Sequence, residues 1–250
     1  MFFCQRNTFK KMFSKNTGLL IGIAVFGNVL PFNLISLSEI YVDSIVASTL
    51  IGTMPLFTLL ISFILFRGTE LNFFSVFGLL VGFFGMIVFI NPSNLSILST
   101  TISFSCLIIF SSFCYGLSAN LVKKINNNTP LEIATFSTVL ATILSFPVLV
   151  SHLFFSGNSE IFHLQNISLE SFLSASILGV VCTGLAILIF FNLIKIRTAV
   201  FASQSNYLIP CFGSIWGFLF LGESLSQNML YGLLLIVLGG WMVNRSMINK

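Results

Sequence analysis

The sequence predicts an all-α membrane protein of eight transmembrane helices, built as an incomplete inverted repeat of three helices followed by five, with both termini in the cytoplasm. Three observations predict it. Composition comes first: 56% of the 250 residues are hydrophobic and 7% charged, and the mean hydropathy is +1.03. A soluble domain carries roughly 25% charged residues on its surface. The second observation is charge placement, with every Lys and Arg falling on one side of the apolar blocks. The third is an internal echo, in which residues 45–91 are answered by residues 200–244.

A helix needs about 20 mostly apolar residues to cross the hydrocarbon. Such blocks lie at 18–37, 45–66, 73–90, 102–122, 131–155, 172–191, 199–221 and 229–247, here spans one to eight. Their continuous apolar character excludes a transmembrane barrel, whose segments alternate. Every linker is short, so no soluble domain hangs from either side. Span one follows a basic stretch, as in a signal peptide, yet it is long, contains Asn28 and Pro31 and lacks a small-x-small cleavage site, so it reads as a retained helix. Spans two and seven carry Pro55 and Pro210, expected hinges because a proline within a helix frees a backbone carbonyl. Spans three and eight carry Gly78, Gly82 and Gly85, then Gly232, Gly239 and Gly240. Those glycines permit close helix approach, within the chain or against a second copy in a homodimer. Asn192 is expected to cap span six beside Lys195, and Glu70 and Glu223 to cap the helices after their turns. His152 and His163 read as solvated residues at the outer end of span five.

The basic residues fix the orientation. Arg6, Lys10, Lys11 and Lys15 precede span one, Arg67 follows two, Lys123 and Lys124 follow four, Lys195 and Arg197 follow six, and Arg245 and Lys250 close the chain. By the positive-inside rule that face is cytoplasmic. The opposite linkers carry acids only: Glu39, Asp43, Glu160, Glu170 and Glu223. The net charge of +4 is this topology signal and implies no nucleic-acid partner. Of the five cysteines, all but Cys4 lie within spans, and none has CxxC or metal-ligand spacing. They read as buried inert thiols, with no metal and no cofactor.

In the echo, Ala47-Ser48 is answered by Ala202-Ser203 and Pro55 by Pro210, at an offset of 155. Leu65-Phe66-x-Gly68 is answered by Leu219-Phe220-x-Gly222, Gly78 by Gly232 and Gly85 by Gly239, at 154. Five helices separate the copies, so they sit upside down relative to each other, a signature of secondary transporters. The pattern resembles the drug/metabolite transporter superfamily, specifically carriers built from EamA-type domains. The resemblance implies two five-helix repeats: residues 1–91 as a truncated first repeat of three helices, and 101–247 as a complete second repeat of five. The opening hairpin of the first repeat is then missing. Either the start lies upstream or the chain is shortened, which leaves a non-transporting remnant or a partner subunit of a larger carrier as the alternative to a transporter.

No Asp, Glu, Lys, Arg or His lies near the middle of any span. A carboxylate proton relay is therefore not expected in the membrane, and no converging nucleophile, base or ligand set points to an enzyme. Uncharged polar groups remain. The candidate substrate-binding residues are Asn28 and Asn33 in span one, Tyr115 in span four, and Gln204, Asn206 and Tyr207 in span seven. Each lines a cavity or hydrogen-bonds between helices; Asn28 and Asn33 stand about 140° apart and cannot both face one cavity squarely. Trp216 is either an aromatic wall or packing. The function these features imply is a permease for a small neutral or zwitterionic metabolite, an amino acid or related compound, in a bacterial inner membrane.

Overall fold

The computed structural model describes residues 16–42, 47, 50–66, 72–90, 102–126, 128–155, 168–209, 211–212, 219 and 227–248. Among them every regular element is helical. Helix α1 runs Asn16–Ser38. It widens into π-helix at Val25–Val29, where the Leu30 N–H reaches back to the Val25 carbonyl. Pro31 is the local reason, because it has no N–H to offer the Gly27 carbonyl. Next come α2 (Met54–Phe66), α3 (Phe73–Ile90), α4 (Ile102–Lys124) and α5 (Pro130–Phe155). Helix α6 runs Leu169–Ile196 and is π-helical over Leu178–Leu185. Helix α7 (Ala199–Ser203) tightens into a 3-10 turn over Gln204–Tyr207, and α8 spans Gln227–Ile248. Four of these, α1, α4, α6 and the 130–147 part of α5, are long and apolar enough to cross a bilayer; α2, α3 and α8 are shorter apolar helices.

Burial is inverted relative to a soluble protein. Large apolar side chains point outward, among them Phe73 at 83% exposed, Phe63, Phe84, Phe172, Val180 and Leu234. The buried set includes Asn28, Thr58, Ser111, Ser112, Ser118, Asn120, Ser137 and Ser203. An apolar exterior of this extent is an aggregation hazard in water and is the stable arrangement in lipid, where polar groups must find partners inside. Most of the buried hydroxyls donate to a carbonyl of their own helix: Thr58 to Met54, Ser111 to Leu107, Ser137 to Ala134 and Ser203 to Val200.

Small residues set the helix contacts. A Cβ placed on Gly239 would lie 2.5 Å from the Gly78 carbonyl oxygen and 2.6 Å from the Gly82 nitrogen. One on Gly85 would meet the Gly232 carbonyl oxygen at 2.9 Å, and one on Gly232 the Phe89 backbone at 2.5 Å. Residues 78 and 85 of α3 therefore meet 239 and 232 of α8 in reversed order, so the two helices run antiparallel with backbones in contact. Gly27 of α1 faces Ser118 of α4, and Gly116 of α4 sits 3.0 Å, measured from its would-be Cβ, from the Thr58 nitrogen of α2. Asn120 fastens that second contact by donating to the Thr58 carbonyl at 3.0 Å and to the Gly116 carbonyl at 2.9 Å. Ser112 adds a bond to the Leu50 carbonyl at 3.0 Å.

One end of the bundle gathers the basic linkers that follow α4 and α6. Lys123 Nζ, at the end of α4, donates to the Ile194 carbonyl at 3.2 Å and the Arg197 carbonyl at 2.5 Å. Lys195 Nζ reaches back to the Ile125 carbonyl. Each lysine thus supplies donors to the carbonyls that a helix C-terminus leaves open. Asn16, at the start of α1, donates to Asn128 Oδ1 at 3.2 Å. Thr129 and Glu132 form a reciprocal capping box at the start of α5.

Several expectations need correction. Pro55 does not sit mid-helix: a turn at Gly52–Thr53 interrupts the chain, and Pro55 is the second residue of α2. Its missing N–H is harmless in a first turn. Asn192 does not cap α6, which continues to Ile196; Lys123 takes the terminal carbonyls instead. Two thiols are not buried, since Cys106 and Cys182 are exposed on their helices while Cys114 and Cys211 are buried. Of the two uses expected for the glycines of α3 and α8, packing within the chain is seen at Gly78, Gly85, Gly232 and Gly239. Pro210, Trp216, Glu70, Glu160, Glu223 and His163 lie outside the described residues.

Candidate functional site

Asn28 is the most constrained of the candidate residues. It sits in the π-helical stretch of α1, is 7% exposed, and its Nδ2 is buried without a hydrogen-bond partner. Gln204, the first residue of the 3-10 turn after α7, likewise buries its Nε2 without a partner, and its Oε1 faces Gly240 of α8. A buried N–H left unpaired costs about 1–3 kcal/mol, and such groups in a folded protein call for a bound partner or a functional role. Both lone donors are side-chain amides, suited to an oxygen acceptor on a bound molecule.

The remaining candidates divide. Tyr207 is 2% exposed, brings its ring against Gly82 of α3, and donates its hydroxyl to the Leu79 carbonyl at 3.2 Å. That is interhelical packing, the other of the two uses expected for it. Asn206 is half-buried and its Nδ2 rests on Met54 Sδ of α2, joining the two proline-bearing segments. Tyr115 is half-buried, packed against a cluster that includes Leu20, Met54, Ala119 and Phe191. Asn33 is exposed and donates to the Val29 carbonyl of its own helix at 2.6 Å, so the two asparagines of α1 face different surroundings. The 3-10 turn matters here, because it changes the angular spacing that an α-helix over 199–221 gives Gln204, Asn206 and Tyr207.

Asn120 is the buried polar residue that the reading of single spans passes over. The available signal is its four-residue spacing from Gly116, small then polar on one helix face. Its bond to Thr58, 62 positions away, appears only in the folded chain. Among the described residues no group of three or more His, Cys, Asp or Glu is placed to hold a metal ion.

An all-helical chain with an apolar exterior, uncharged buried polar groups and backbone-close glycine contacts is a multi-pass membrane protein. The EamA-like transporter family model matches residues 1–91 and 102–245, and the chain belongs to that family. It is similar to an uncharacterized transporter from Archaeoglobus fulgidus, 25% identical over 239 residues, covering 94% of this chain and 80% of the relative. It is also similar to the uncharacterized transporter YoaV from Bacillus subtilis, 23% identical over 226 residues, covering 90% of this chain and 72% of the relative. A solved crystal structure shares the fold with a TM-score of 0.72 at 16% identity, over 94% of this chain and 77% of that one. Family and relatives alike point to transport rather than catalysis.

Proposed function

We propose that this chain is a secondary transporter that moves a small neutral or zwitterionic metabolite, of amino-acid type, across the cytoplasmic membrane by alternating access. In this reading the helices form an incomplete inverted repeat, α1–α3 against α4–α8, with both termini cytoplasmic. One observation carries it. In the echo, Gly78 answers Gly232 and Gly85 answers Gly239, yet the touching pairs are Gly78 with Gly239 and Gly85 with Gly232. A twofold axis between two related units produces that exchange of partners, and antiparallel α3 and α8 are what inverted units require. Clustering of the start of α1 and of the α4–α5 and α6–α7 linkers at one end supports the cytoplasmic placement of the basic residues. The unpaired amides Asn28 and Gln204, with Asn206 and Tyr115, are the proposed contacts for the solute; the break before Pro55 is the proposed bending point of the first repeat.

Reconstitution of the purified protein into liposomes tests this. A panel of radiolabelled neutral amino acids should include members that accumulate with time and saturably, above protein-free liposomes. Uptake no higher than that of protein-free liposomes across the panel overturns the reading.

A further inference from the structure

Helix α6 is the counterpart of α1 in the second unit. Phe32-Asn33-Leu34-Ile35, near the end of α1, recurs as Phe191-Asn192-Leu193-Ile194 near the end of α6, 159 positions on. That register sets Leu20, Ile23 and Ala24 opposite Gly179, Cys182 and Thr183. The first three are buried. Leu20 and Ile23 share a core cluster with Ala119 and Val122 of α4 and with Ile133 and Ala134 of α5, and Gly22 lies against Leu121 of α4. Their counterparts on α6 are bare. No residue of Leu169–Leu185 is buried, and nothing lies within 4 Å of a Cβ placed on Gly179.

The bare stretch still has the make-up of a packing face. Ser171, Ala175, Gly179 and Thr183 follow at four-residue spacing, a run of small residues that lets a second helix approach closely. Ile187 and Phe191 continue the same spacing and are packed in the cluster that holds Leu20 and Ala119. The open face is therefore the extension of an interface already formed. The twofold that turns the Gly78–Gly239 contact into Gly232–Gly85 also carries α1 onto α6. It carries α4 and α5, which cover α1, onto two opening helices of the first unit that have no counterpart among the described residues.

We infer that the bare face of α6 is the seat of an apolar helical hairpin joined to the chain ahead of α1. It packs on Gly179, Cys182 and Thr183 as α4 and α5 pack on Leu20, Ile23 and Ala24. The inference rests on the inverted-repeat reading above and assigns the place at which that repeat is completed. Chain order selects the source: the α4–α5 hairpin directly precedes α6, so its twin directly precedes α1. Length agrees. The family match takes residues 1–91 of the first unit and 102–245 of the second, which is longer by roughly the extent of residues 102–155. Two crossings take about 40 residues, more than residues 1–15 supply, so most of the hairpin lies ahead of Met1.

The coding DNA ahead of Met1 is the first test. In frame and without a stop codon it should encode two apolar runs of about 20 residues each; a stop codon within that distance overturns the inference. The longer chain is then compared with the 250-residue chain in liposomes. In each, the native cysteines are replaced by serine and a nitroxide is attached at Gly179→Cys. Val181→Cys, 51% exposed and about 200° further round the helix, is the control. Paramagnetic resonance reads the collision rate with oxygen. In the longer chain that rate should fall at least roughly threefold at position 179, because a close-packed contact has no room for the gas, and should hold at 181. An unchanged rate at 179, or an equal fall at 181, overturns the seat. If Gly179→Cys fails to insert, Ala175→Cys, one turn earlier on the same face, carries the same criterion. Oxidative cross-linking of position 179 between two longer chains gives the face to a second copy and overturns the hairpin. Solute uptake separates the two readings. Transport with position 179 still open to oxygen overturns the seat and leaves the carrier standing, whereas a covered position without uptake keeps the seat and sinks the carrier.

Discussion

Replacing Gly239 by alanine tests the contact on which the repeat symmetry rests. The added Cβ would lie 2.5 Å from the Gly78 oxygen, 2.6 Å from the Gly82 nitrogen and 2.9 Å from the Gly82 Cα. Ordinary contact begins at 3.4 Å, so α3 and α8 must separate by about 0.9 Å at that point. All three obstacles are backbone atoms, and no rotamer change relieves them. Overpacking costs about 1–3 kcal/mol, and a rigid backbone clash belongs at the upper end of that range. Alanine gains back about 1 kcal/mol of helix propensity over glycine. The net loss is about 2 kcal/mol, a Tm lower by roughly 4–8 °C for a chain of this size. Gly18→Ala is the control, since nothing lies within 4 Å of its Cβ; it should raise Tm by roughly 2–4 °C. The assay is thermal denaturation of detergent-solubilised protein, followed by size-exclusion chromatography. If both variants shift Tm the same way by the same amount, α3 and α8 are not in backbone contact and the symmetry argument fails.

Asn120→Leu should lower Tm, with a loss of about 1–2 kcal/mol, because it removes the bonds to Thr58 and Gly116 and strands a carbonyl; an unchanged melting curve contradicts this. Tyr207→Phe deletes only the hydroxyl on the Leu79 carbonyl, about 1 kcal/mol, and should leave solute uptake within roughly twofold; a tenfold loss of uptake would make Tyr207 a solute contact instead. Asn28→Leu removes a buried unpaired amide, so Tm should hold or rise while uptake falls by at least roughly tenfold, about 1.4 kcal/mol of binding. Retained uptake in that variant removes Asn28 from the site. A green fluorescent protein fused after Lys250 should fluoresce in bacterial cells, as expected of a cytoplasmic C-terminus; a dark but full-length fusion reverses the orientation.

Much of the fold is legible because lipid makes local composition decisive. A run such as 73–90 has to be helical in a bilayer whatever its neighbours are, since only internal hydrogen bonding satisfies its backbone, and α3 spans Phe73–Ile90. The glycines at 78, 85, 232 and 239 stand out by their spacing and by their echo. Less of the site can be read this way. Asn28 and Asn33 look alike in the sequence, and only packing buries one and leaves the other exposed. Gln204 and Tyr207 lie on one polar stretch, yet Tyr207 is consumed by the Leu79 carbonyl while the Gln204 amide is left free.

The sequence by itself determined the membrane class, the apolar blocks that α1, α3, α4, α5 and α8 occupy and the residues able to bring backbones close, because each depends on local hydropathy and side-chain size. Tertiary structure alone decided which glycine meets which, that Asn120 belongs to Thr58, and that Tyr207 donates to Leu79. Those outcomes depend on which carbonyl a distant helix presents, and contacts across 62, 147 or 161 positions follow from how helices dock rather than from any single helix.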